Sequence, residues 1–175
     1  MDVEAALAVI QTALQNEIAG QRFYNEASRY CIDLWAKEIF AKLARDEEKH
    51  THLLLGEHDA LSTHGEWLRP EDAMGAGERV DITWIAFSAA QSGTELFPSE
   101  WATVDAIDRT WDDLAALAFG IDLEKSAIAL YQGEAAKATD ASARRAFDFL
   151  LSEEKRHYSD LVERWEQLAG VEFGR

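Results

Sequence analysis

Two stretches of the chain, "DEEKH" at 46–50 and "EEKRH" at 153–157, set a glutamate three residues before a histidine: Glu47 with His50, and Glu154 with His157. On a helix that spacing puts a carboxylate and an imidazole side by side on one face. A single pair means little, because acidic helices often carry a stray histidine. These pairs, however, lie 107 residues apart, and the same offset carries Glu17 onto Glu124 and Tyr24 onto Tyr131. Four glutamates and two histidines balance two divalent cations, with one imidazole for each. A carboxylate-rich set of this kind suits iron or manganese, while zinc would fill it without redox chemistry. The predicted metal ligands are therefore Glu17, Glu47, His50, Glu124, Glu154 and His157.

The offset is not confined to these residues. Residues 13–61 and 120–168 align without a gap and share ten identities in 49 pairs, where ordinary composition would give roughly three. Within the second helix of each half the matched positions run Asp33, Ala36, Phe40, Leu43, Glu47, His50, Leu54 and Leu61 against Asp140, Ala143, Phe147, Leu150, Glu154, His157, Leu161 and Leu168. Steps of three, four and seven trace one stripe, the seam a bundle helix turns toward its neighbours. Glutamate and histidine inside an apolar seam are costly unless paired or bound to metal.

Other residues near the six have two readings each. Tyr24 and Tyr131 follow Glu17 and Glu124 by two turns, so they are placed beside the site as donors of a hydrogen bond or an electron; a core tyrosine with a satisfied hydroxyl is the plainer reading. Asp46 and Glu153 precede each histidine by one turn and are read as partners of a metal-bound imidazole, or as solvated acids. Gly20 and Ala127, one turn past Glu17 and Glu124, leave space for a small oxidant or for close helix packing. His52, His58 and His64 have no histidine counterpart and are assigned to the surface.

The elements that must hold these residues are helices. Apolar spacing predicts a helix over 3–30; Asp33 caps a second that runs to about Leu61; Pro98 and Ser99 open a third that runs to about Ala138; and Asp140 caps a fourth. Residues 62–80, rich in glycine and polar side chains, read as a loop, and 81–93 as a short helix inside a long connection spanning 62–100. Two antiparallel pairs joined by that crossover make an all-α, ferritin-like four-helix bundle, expected as a single domain over 1–175. A formal charge of −16 excludes nucleic acid as a partner. One cysteine, an acidic N-terminus and no apolar run of membrane-spanning length lead to the expectation of a soluble cytoplasmic protein with no membrane contact.

The segments "NEIAGQRFY…DEEKH" and "LEKSAIALY…SEEKRH" resemble the rubrerythrin family of the ferritin-like superfamily over both helical pairs, though not over 62–100. The resemblance implies that the six matching residues bind two irons, that the chain forms a homodimer, and that it reacts with hydrogen peroxide or dioxygen as an oxidoreductase. Two departures stand out. Full-length members carry a rubredoxin domain with paired CxxC motifs, whereas this chain has only Cys31, so a separate electron donor is implied. Members also carry an extra glutamate one turn after the third-helix ligand, where this chain has Ala127. The competing expectations are a ferroxidase that handles iron, and a structural bundle whose metal site is idle.

Overall fold

The computed structural model of the protein describes residues 2–80 and 112–174. Its helices are α1 (Val3–Tyr30), α2 (Leu34–His64), α3 (Pro70–Gly77), α4 (Asp113–Lys137) and α5 (Ala141–Ala169). Among the described residues there are no strands, and the fold is the expected all-α, ferritin-like bundle. Contacts between side chains give its connectivity. Turns of three residues, 31–33 and 138–140, fold α2 back on α1 and α5 back on α4, and Glu17 meets His50 and Glu124 meets His157 across the antiparallel pairs. Tyr24 meets Glu124 while Tyr131 meets Glu17, and Lys42 meets Asp160 while Asp33 meets Arg164, so both remaining neighbouring pairs are antiparallel too. The diagonal helices α2 and α4 therefore run parallel, as the long crossover requires.

Local chemistry sets most helix ends. The Asp33 carboxylate accepts from the Ala36 amide at 2.7 Å, and Asp140 accepts from Ser142 and Ala143 at 2.7 and 3.0 Å, which satisfies amides that a helix start leaves without partners. Gly65 and Gly170 close α2 and α5 in the left-handed conformation that only glycine adopts cheaply.

The structure corrects the sequence reading at three places. Residues 62–80 are not all loop: α2 continues to His64, and Pro70, pre-set for a first helical turn, opens α3 with Glu71 and Asp72 behind it. The third long helix does not run unbroken from Ser99. Asp112 is extended and its side chain caps the Ala115 amide, so α4 begins at Asp113. The short helix expected over 81–93, and residues 98–111, lie outside the described residues. Leu168, placed in the seam, is 37% exposed while its counterpart Leu61 is buried. Leu61 lies in the cluster that takes in Ala73 of α3 and the ring of Trp67, and α5 has no short helix after it among the described residues.

Candidate metal centre

Glu17, Glu47, His50, Glu124, Glu154 and His157 all converge at the middle of the bundle, and none is more than 4% exposed. One long helix supplies each carboxylate, and α2 and α5 add the histidines. Two groups of four emerge. Glu17, Glu47, His50 and Glu154 bring one atom each within 4.8 Å of one another, and so do Glu47, Glu124, Glu154 and His157. The 107-residue offset turns one group into the other, with Glu47 and Glu154 common to both.

The individual oxygens make the sharing plain. Nδ1 of His50 lies 3.1 Å from Glu17 Oε2, 3.2 Å from Glu47 Oε2 and 3.1 Å from Glu154 Oε1. Nδ1 of His157 lies 3.1 Å from Glu154 Oε2, 3.7 Å from Glu47 Oε1 and 3.8 Å from Glu124 Oε1. Glu47 and Glu154 thus each turn one oxygen to one histidine and the other oxygen to its partner. Glu17 and Glu124 each serve a single histidine. Glu47 and Glu154 thus stand between the two histidines, with Glu17 and Glu124 at the two ends of the cluster.

Electrostatics make the same cluster hungry for cations. Burial raises the Glu47 and Glu124 carboxyls well above their ordinary value, and neighbouring glutamates push further in that direction. Burial works against a charge on His50, yet Glu154, Glu17 and Glu47 more than offset it and hold the imidazole well above its usual range. Burial likewise opposes charge on Glu154, but His50 and the bonds from both histidines keep that carboxyl low. Protons and histidine charge here do what a metal ion would do. Within the centre, Glu154 Oε1 is buried with no aligned hydrogen bond, only the ion-pair approach of His50 Nδ1 at 3.1 Å. Buried polar atoms are rarely left so, and unpaired ones in a ligand set fit a group that binds there. The residues present therefore fit a pair of divalent cations.

The surrounding residues fall into place unevenly. Tyr24 donates to Glu124 and Tyr131 to Glu17, each hydroxyl crossing to the terminal glutamate of the other half. Both rings are buried; burial, then the facing glutamates, raise both phenols well above their ordinary value. Asp46 is buried and sits 3.5 Å from His157 Nε2, so it backs the histidine of the other half. Burial pushes its carboxyl up, but Lys49, His157 and Arg156 outweigh that and hold it low. Glu153 comes near both imidazoles but is only half-buried and is taken up by Arg156 at 2.5 Å. Gly20 faces the centre: a methyl built there would sit 3.7 Å from Glu47 Cδ, an ordinary contact. His52 and His58 are half-buried rather than fully exposed, and His64 is exposed.

Sequence reasoning missed one buried acid. Glu57, two turns short of the end of α2, is fully buried, accepts from the Leu68 amide at 2.9 Å, and is raised to about 7 by burial and the nearby Asp140. Its counterpart under the offset is Arg164, so the repeat gave no signal for it. Step counting from His50 did, since seven residues place Glu57 on the same stripe.

No described helix is long and apolar enough to cross a membrane. Comparison with curated proteins and with solved structures returns no match. The rubrerythrin family model matches residues 8–163, which include all six residues of the buried cluster, and the chain belongs to the rubrerythrin family.

Proposed function

We propose that the protein is a non-haem di-iron oxidoreductase that reduces hydrogen peroxide or dioxygen. The observation that carries this reading is the division of oxygens at Glu47 and Glu154, one to each histidine, which suits two cations held close enough to act on one small molecule. Two ferrous ions would supply the two electrons, and solvent the two protons, that turn one peroxide into two waters. Glu17 and His50 would complete one position, Glu124 and His157 the other. The chain's own part is to hold the carboxylates in place, to exclude bulk water, and to steady the terminal glutamates through the Tyr24 and Tyr131 hydroxyls. Gly20 leaves the face above Glu47 free of a side chain, where a diatomic or peroxide could approach. The bundle holds one cysteine, too few for a rubredoxin-type iron centre, so electrons for re-reduction would come from outside the bundle.

Anaerobic titration with ferrous ion, followed by hydrogen peroxide, tests the proposal. The expected result is two ions per chain and a rapid rise in near-ultraviolet absorbance as ferrous iron is oxidised. Bound iron that peroxide and dioxygen both leave ferrous would overturn it. The net charge of −16 favours a second reading, iron handling by a ferroxidase, because an acidic surface gathers cations. Retention of many ferric ions per chain would select that reading; a plateau at two would not.

A further inference from the structure

The pseudo-two-fold that relates the two halves of the centre breaks at a pair of charges near the bundle ends. At one end of the bundle Arg164 of α5 grips both oxygens of Asp33, the N-cap of α2. At the other end the equivalent of Asp33 is Asp140, the N-cap of α5, and the equivalent of Arg164 is Glu57. An arginine–aspartate pair has become two facing acids. Glu57 Oε2 takes the Leu68 amide, but Oε1 is buried with no partner.

What buries Glu57 is the segment 65–80. Its helix α3 seats backbone to backbone on α2, since a methyl built at Gly56 would lie 2.0 Å from the Ala73 carbonyl oxygen and one at Gly77 would lie 1.7 Å from that of His52. Trp67 of the same segment packs edge-on against Phe147, whose ring stacks on Tyr131.

We propose that Glu57 is a proton-operated latch for residues 65–80, which lets that segment seat on α2 when its carboxyl is neutral and unseats it on ionisation. The physical reason lies in Oε1. An ionised carboxylate would strengthen the Leu68 bond, yet it would also bury charge without a donor and face Asp140. It can reach water only if the cover lifts. The other charged groups near it are engaged elsewhere: Arg144 of α5 donates to the Ala138 carbonyl at 2.8 Å, Arg69 pairs with Asp72 and Glu71 in solvent, and His58 lies 3.4 Å from Ser62 Oγ. The sign follows from the direction of the shift. Glu57 titrates at about 7 in the seated state, so seating is fully favoured below its ordinary carboxyl value and is lost as pH rises from there through about 7. The latch needs no metal and stands or falls apart from the di-iron reading.

Amide hydrogen exchange of the full chain, resolved by mass spectrometry and corrected for intrinsic rates, tests it. Between pH 6 and 8.5, peptides covering 66–80 should lose about tenfold or more of their protection, while peptides at the centre of α5 stay unchanged. Glu57→Gln should hold its protection flat across that range. Asp140→Asn, which keeps an N-capping side chain, should move the loss to lower pH and shrink it. Protection that does not vary with pH in the wild type, or that varies equally in Glu57→Gln, overturns the latch.

Discussion

Glu154 and Glu17 are both buried glutamates of the same centre, yet they differ in how many neighbours depend on them. Glu154 faces both histidines, whereas Glu17 faces only His50. Glu154→Ala is therefore expected to abolish binding of both metal ions, while Glu17→Ala should reduce the stoichiometry from two to one. Metal analysis after anaerobic loading with ferrous or manganous ion separates the two outcomes. Protonation gives a second residue-scale prediction. Without metal, Glu47, Glu124 and His50 all hold protons more tightly than usual, and a cation must displace them. Metal affinity should rise with pH between 5 and 8 with proton release, as calorimetry in buffers of different ionisation enthalpy would show. A fall in affinity with pH would contradict the buried-ligand assignment. The crossed tyrosines belong to this scale as well: Tyr131→Phe removes the donor to Glu17, leaves a buried carboxylate oxygen short of a bond, and should cost about 1–3 kcal/mol in metal-free stability by urea unfolding.

At the scale of elements, the caps and the seat of α3 carry the testable content. Asp33 caps α2 and is gripped by Arg164, which with the Ala36 amide holds its carboxyl below the ordinary value, against a smaller opposing effect of burial. Asp33→Ala should destabilise by about 1–2 kcal/mol at neutral pH through the lost cap alone, with the ion pair adding to that. A depressed carboxyl stabilises above its unfolded value and loses that contribution as pH falls through its folded one, so the gap between wild type and variant should narrow below about pH 4. The two glycines of α3 separate packing from propensity. Gly77→Ala would drive a methyl into the His52 carbonyl, and should unseat α3 at a cost of about 1–3 kcal/mol. Gly75 has nothing within 4 Å of its built methyl, so Gly75→Ala should instead stabilise by about 0.5–1 kcal/mol. Thermal unfolding of both variants checks the opposite signs.

Taken whole, the molecule places four carboxylates and two imidazoles in a dry core, an arrangement that a folded chain keeps and an unfolded one loses. Any cation that binds there must stabilise the fold, by about 2.7 kcal/mol per site when the free ion is a hundredfold above its dissociation constant. Added manganous or ferrous ion should raise the melting temperature of the wild type and leave Glu154→Ala where it was; equal shifts in both would place the binding elsewhere. Much of this was legible before any coordinates. Helical periodicity gave α1 and most of α2 and α5, aspartates at 33 and 140 marked their starts, and a single offset picked the six buried residues out of an acidic chain with 33 aspartates and glutamates. What made them legible was duplication, because a repeat retains the costly residues and lets the solvated ones drift. The same logic fails where the halves diverge. Glu57 stands opposite an arginine, no short helix follows α5 among the described residues, and Leu168 is left 37% exposed. Sequence alone therefore determined α1, most of α2 and α5, the pairing of the halves and the six residues that meet at the centre, since those follow from residue type at fixed spacing. Only the tertiary structure decided which glutamates serve both histidines, that each tyrosine crosses to the opposite half, and that Asp46 backs His157 rather than His50. Those are relations between different helices, fixed by how the bundle packs and not by distance along the chain.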